Sequence, residues 1–221
     1  MKEEYFASGA VSDQAEAMIR ELYPGGQKRA KVFSRERSVL LALDLQRYFL
    51  DPESHAFVPS AVPLLPRINK LINLFQGRSW PVVFTQHTNT PENAGNMGSW
   101  WRELLSADHP LHGLDPRLDW EDSQILAKSQ YDAFYQTPLE QILREAGVKQ
   151  VVVSGVMAHL CCETTARSAF MRGFEVFFLV DCTASYSRDY HLAALRNLGH
   201  GFAALTTSKQ IQAVLPGAVH G

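Results

Sequence analysis

The stretch Lys149-Gln-Val-Val-Val-Ser-Gly-Val-Met-Ala-His-Leu-Cys161-Cys-Glu-Thr-Thr-Ala-Arg-Ser-Ala-Phe170 decides how this chain folds. Its first half is a valine-rich apolar run, the pattern of a strand buried on both faces. Its second half reads as a helix that stops at Gly173. The link between them is a tight turn, and Cys161 falls where the helix begins. In open α/β sheets such turns lie at the carboxyl ends of strands, where ligands bind. The first N–H groups of a helix lack partners and carry partial positive charge. The position therefore predicts a thiol of lowered pKa and donors for a carbonyl oxygen. A cysteine is more often a small packing residue; here its place in the chain argues for chemistry.

Working outward, five more strand-like runs cover residues 39–45, 81–85, 124–128, 175–180 and 202–206, with the first-quoted strand at 148–156. Helical patterns lie between them. Leu64, Leu65, Ile68, Leu71, Ile72 and Phe75 recur at 3.6-residue spacing. Thr137-Pro-Leu-Glu140 reads as a capping box with proline at the first helical position, and Gly147 closes that helix. Further helices are predicted at 191–198 and 211–215. The alternation predicts an α/β fold: a three-layer αβα sandwich around a mostly parallel, six-stranded doubly wound sheet. Residues 1–35 precede the first core strand and form an N-terminal helical arm, with Asp13 and Glu16 as its capping box. Residues 36–221 form the main domain.

Composition narrows the function classes. The chain has 221 residues, 46% hydrophobic and 20% charged, a globular balance. Net charge is −2 and no long basic run occurs, which argues against nucleic acid and anionic membranes as partners. No apolar run reaches membrane-span length. The acidic N-terminus has no apolar core of a secretory signal. The cysteines number three, Cys161, Cys162 and Cys182, an odd set that points to reduced thiols and a cytoplasmic location. Neither CxxC nor HExxH occurs, so structural zinc has no support.

Asp44 ends the first strand run and Lys128 the third, so both are predicted on the same sheet edge as Cys161. Alone, each reads as an ordinary strand-end residue. Together they form a chemical set: a carboxylate to take the thiol proton, an ammonium to hold that carboxylate charged, and a thiolate to attack a carbonyl carbon. Aromatic and histidine residues in loops on that edge, namely Phe49, His87, Trp100, Trp101, Tyr131, Phe134 and Tyr135, are the candidate pocket walls. They suit a small planar amide or ureide. His159 and His191 read as structural, and Glu163 with Arg167 as an i,i+4 pair.

Three blocks carry a resemblance: Leu41-Ala-Leu-Asp44-Leu-Gln-Arg-Tyr-Phe49, Leu126-Ala-Lys128-Ser-Gln-Tyr-Asp-Ala-Phe134, and Gly155-Val-Met-Ala-His-Leu-Cys161 with the helix that follows. They resemble the isochorismatase-like cysteine hydrolase superfamily, which includes nicotinamidases and N-carbamoylsarcosine amidohydrolases. The resemblance makes the main domain an isochorismatase-like hydrolase domain and assigns Asp44, Lys128 and Cys161 as the catalytic triad. It also implies a cis peptide at Val156–Met157, aiming the N–H groups of Met157 and Cys161 at an oxyanion, and a homo-oligomer, dimer or tetramer. The Asp-Trp-His stretch that helps nicotinamidases bind a metal is replaced by Thr85-Gln86-His87. Asp51, His55 and His87 do not have convincing ligand spacing, so no metal and no cofactor is expected. The reading is a metal-independent hydrolase of a small amide or N-carbamoyl compound. The alternatives are vinyl ether hydrolysis of the isochorismatase type, for which the family does not need this cysteine, and a non-catalytic binding subunit.

Overall fold

Six strands form one sheet in the computed structural model, which describes residues 2–27 and 31–215. They are β1 (Ser38–Leu43), β2 (Val82–His87), β3 (Gln124–Lys128), β4 (Gln150–Val156), β5 (Glu175–Ala184) and β6 (Ala204–Thr206). Their spatial order is β3-β2-β1-β4-β5-β6, and every pairing is parallel. The chain winds outward in both directions from the boundary of β1 and β4. That boundary is the switch point at which this topology leaves a crevice above the strand ends.

The helices are α1 (Val11–Leu22), α2 (Arg47–Leu50), α3 (Leu65–Gln76), α4 (Met97–Trp100), α5 (Leu139–Glu145), α6 (Glu163–Met171), α7 (Arg188–Gly201) and α8 (Ser208–Val214). Helix α3 packs on β1 and against α8, while α6 packs on β5 and against α7. Covered on both faces, β1 and β4 bury every residue, which is why they are unbroken apolar runs. β3 is an edge strand with Gln124, Ile125 and Ala127 exposed, which accounts for its weak apolar signal. Among the described residues no helix is long and apolar enough to cross a membrane.

Two expected capping boxes are absent. α1 starts at Val11 behind Ala10, with no side-chain cap, and Asp13 lies inside its first turn. α5 is preceded by Pro138. Glu140 pairs with Arg144 and Arg172 there instead of reaching back. The capping box that does form is Thr207 with Gln210 at α8.

The N-terminal segment is part of the core. Phe6, Val11, Ala15, Met18 and Phe33 belong to the same buried cluster as the sheet. Tyr23 Oη donates to the Arg196 carbonyl, and Gln27 bridges the Gly199 carbonyl and the Leu205 N–H. A Cβ at Gly199 would come within 2.7 Å of Tyr23 Oη and of Gln27 Nε2, so these side chains seat closely on α7.

Candidate active site

β1 and β4 nearly touch where they end. Gly155 adopts φ 116°, and a Cβ there would lie 2.1 Å from the Leu43 carbonyl oxygen. No other residue fits. The chain then passes through a cis Val156–Met157 bond, at the position the resemblance implied. It continues as a wide π-type turn, Ala158–Cys162, before α6 begins at Glu163. Cys161 lies inside that turn and is only 7% exposed.

Asp44 follows β1 with φ 51°, a left-handed conformation uncommon outside glycine and tolerated by aspartate. Thr85 of β2 holds it from two sides: the Asp44 N–H donates to Thr85 Oγ1 at 3.0 Å, and that hydroxyl donates to Asp44 Oδ1 at 2.6 Å. Lys128, fully buried at the end of β3, reaches back across β2. Its Nζ lies 2.8 Å from Asp44 Oδ2 and donates to Cys161 Sγ at 3.4 Å and to the Gln130 carbonyl at 2.9 Å. Two hydrogen bonds and one ion pair thus surround the ammonium. Asp44 Oδ2, that ion pair aside, has no hydrogen bond of good geometry. The topology therefore brings Asp44, Lys128 and Cys161 together as the strand ends predicted. Thr85 was missed; its one signal was a threonine inside an otherwise apolar strand.

The electrostatics correct one expectation. Burial, and then the Asp44 carboxylate, push the Cys161 thiol well up, against the pull of Lys128. A helix start alone would lower the thiol pKa, but here the low-dielectric surroundings outweigh its N–H groups. Burial works against both charges of the ion pair. Even so, Lys128 and then His87 hold Asp44 below its ordinary value, and Asp44 and the sulfur hold Lys128 above its own. The resting set is a neutral thiol beside an ionised carboxylate and an ammonium.

A cavity of about 290 Å³ opens over Cys161. Of the candidate walls, Phe49, His87, Trp101 and Tyr131 line it. Trp100 does not: it ends α4 and is 77% exposed, whereas Trp101, extended just beyond the helix, lines the cavity. Trp101 Nε1 donates to Tyr131 Oη at 2.8 Å. Phe134 is not a wall either. It is buried, with its ring stacked on Phe174 and the Arg172 guanidinium over its face. Tyr135 is half-exposed and lies outside the cavity. Lys2, Tyr48, His55, Glu103 and Tyr186 do line it, and no spacing in the sequence announced them. Tyr48 Oη donates to Glu103 Oε1 at 3.0 Å, and His55 Nδ1 meets the same oxygen at 3.1 Å.

Burial and Lys128 lower the pKa of His87 to about 4, so it is neutral; its Nε2 pairs with Asn89 Oδ1 at 2.7 Å. His191 is buried between Tyr5 Oη and Thr183 Oγ1, and His159 stacks on Tyr190. Among the described residues no three His, Cys, Asp or Glu side chains converge as a metal-ligand set. His55 Nδ1 meets Glu103 and His87 Nε2 meets Asn89, while His87 Nδ1 is buried with no hydrogen-bond partner among the described residues.

Residues 38–210 match the Isochorismatase domain family. The chain belongs to the isochorismatase-like hydrolase family. It is 35% identical over 186 residues to Nicotinamidase 3 of Arabidopsis thaliana, a match covering 81% of this chain and 89% of that protein. It is 31% identical over 188 residues to Enterobactin synthase component B of Escherichia coli (strain K12), covering 83% of this chain and 66% of that protein. The cysteine hydrolase of Pseudomonas syringae pv. phaseolicola 1448A superposes with a TM-score of 0.76 at 23% identity, covering 80% of this chain and 93% of that one, and shares the fold. The family is hydrolytic, and its members act on different small molecules.

Proposed function

We propose that this family member is a metal-independent cysteine hydrolase that cleaves a C–N bond of a small amide or N-carbamoyl compound through a thioester. One observation carries the reading: a thiol and a carboxylate oxygen without a hydrogen bond line one cavity, and a buried ammonium lies within reach of both. The thiol proton passes to Asp44 as Sγ bonds to the substrate carbonyl carbon. The N–H groups of Met157 and Cys161 receive the oxyanion. As the tetrahedral species collapses, the C–N bond breaks and Asp44 protonates the departing nitrogen. Water, deprotonated by Asp44, then opens the thioester and restores the thiol. Lys128 keeps Asp44 charged between these transfers. Because the resting thiol is neutral, proton transfer belongs to the attack itself.

Vinyl ether hydrolysis would need the acid but not the thiol, so the Cys161→Ser variant separates the two chemistries. Assayed against amides, ureides and isochorismate, the wild type is expected to turn over an amide or ureide, and rapid quenching should reveal an acyl adduct on Cys161 by intact mass. Full activity of Cys161→Ser on isochorismate, with no amide turnover by the wild type, would overturn the reading. The assembly is proposed as a dimer or tetramer; light scattering that finds only monomer at micromolar concentration would refute this.

A further inference from the structure

The mouth of the cavity has a charge pattern that its floor does not. On the floor, the Asp44 charge is balanced by Lys128 buried beside it. At the mouth stand Lys2, Arg102 and Glu103. The single carboxylate, Glu103, is engaged by Tyr48 Oη and His55 Nδ1. Arg102 makes no hydrogen bond or ion pair among the described residues. Lys2 lies outside the family match at 38–210, yet it is held at the cavity. Its Nζ donates to the His55 carbonyl and sits 4.6 Å from the centre of the Tyr186 ring. Neither contact neutralises it, and an ammonium has further donors to offer.

The seat of Lys2 is built. The Glu3 N–H donates to the Tyr186 carbonyl at 2.9 Å. Ser60 Oγ accepts from the Tyr5 N–H at 2.8 Å and donates to the Glu3 carbonyl. Tyr5 Oη accepts from the Ser185 N–H at 2.8 Å, and Phe6 is fully buried. The segment after Lys2 is thus pinned on both sides.

We propose that Lys2 and Arg102 are specificity-determining residues that read an anionic group, a carboxylate, at the end of the substrate remote from the scissile bond. This rests on the hydrolase reading above and names its substrate class. Two like charges held at one mouth repel each other, and a bound carboxylate relieves this while gaining charge-assisted hydrogen bonds. A guanidinium offers such a group a planar fork.

The test uses matched pairs: 4-carbamoylbenzoate against terephthalamide, and succinamate against succinamide. The wild type is expected to favour the carboxylate of at least one pair in kcat/KM. That ratio is expected to fall about tenfold in Arg102→Met and in Lys2→Met, and to be largely kept in Lys2→Arg. The wild-type preference should also weaken as salt is raised. Calorimetric titration of Cys161→Ser with 4-carbamoylbenzoate and terephthalamide reads recognition without turnover. A binding preference for the carboxylate that Arg102→Met abolishes, with no hydrolysis by the wild type, supports the anion site and refutes the hydrolase reading. Hydrolysis with equal use of both members of each pair, or a ratio unchanged in the Lys2→Met/Arg102→Met double variant, overturns the anion site and leaves the hydrolase standing.

Discussion

Asp44 and Asp181 are both buried, and each lies near a cation and a cysteine. Asp44 has Lys128 and Cys161; Asp181, on β5, has Arg67 at 3.7 Å and Cys182 as its chain neighbour. By composition the two clusters are nearly the same. Their hydrogen bonds separate them. Both oxygens of Asp181 are filled by one residue, Oδ1 by the Ser208 N–H at 2.7 Å and Oδ2 by the Ser208 hydroxyl, which ties α8 to the sheet. Asp44 has one oxygen filled by Thr85 and the other left to its ion pair. Cys161 opens on a cavity, and Cys182 is fully buried. A set of reactive residue types becomes a candidate site only where a lone pair is unfilled and a substrate can reach it.

The hardest way to strain this contrast is to remove each sulfur. Cys161→Ser is expected to lower turnover by at least about 10³-fold, while Cys182→Ser and Cys162→Ser stay within about threefold of the wild type, being packing residues away from the attack. Steady-state kinetics on whichever amide the panel selects decides it. An inactive Cys162→Ser beside an active Cys161→Ser would place the nucleophile one residue on.

Next come the charges. Asp44→Asn keeps shape and removes the base, so turnover should fall by at least about 10²-fold, and Lys128→Met should be similarly impaired. Asp181→Asn should leave kcat nearly unchanged and show its effect in unfolding. Near-normal turnover of Asp44→Asn would remove the functional difference between the clusters.

The two aspartates should also respond to pH in opposite senses. Asp44 titrates lower in the folded chain than in the unfolded one, with burial opposed and outweighed by Lys128 and His87. Its ionised form therefore adds stability above the unfolded carboxylate value of about 4, and that stability is lost as pH falls through the folded value. Asp181 is raised by burial, only partly offset by Ser208 and Arg67. Its ionisation therefore costs stability as pH rises from the ordinary value through the raised one. In urea unfolding from pH 3 to pH 7, Asp44→Asn should fall further behind the wild type as pH rises, and Asp181→Asn should gain on it. Slopes of the same sign would refute the assignment.

The same contrast marks what was legible in the sequence. Asp44, Lys128 and Cys161 were readable because each ends or follows an apolar strand run, and a parallel sheet carries strand ends to one edge. The spacing of Gly155 to Cys161 was readable only through the family resemblance, and its physical reason, the approach of the Leu43 backbone, appears in the fold. The cavity mouth was not. Lys2, His55 and Glu103 sit in loops, whose paths follow from tertiary contacts and leave no period in the sequence. Trp100 and Trp101 were both candidate walls, and their separation depends on where the short helix ends, Trp100 inside it and exposed, Trp101 beyond it and at the cavity. The state of the Cys161 thiol was misjudged for a related reason: the helix start is local and visible, whereas burial and the carboxylate across the sheet are not.

The smallest expected effect is none at all. A divalent cation at either cluster would have to displace a cation already in place, Lys128 at Asp44 or Arg67 at Asp181. At the first it would also add charge to a cavity that holds Lys2 and Arg102. Of the nearby histidines, His55 Nδ1 is held by Glu103, and His87 has Nε2 on Asn89 and one ring nitrogen, Nδ1, left without a partner among the described residues. Dialysis against a strong chelator is therefore expected to leave kcat and KM unchanged, and elemental analysis of active protein should find less than one metal per chain. Stoichiometric zinc, iron or manganese, with activity lost on its removal and regained on its return, would show that the pocket rearranges to build a centre these side chains do not form.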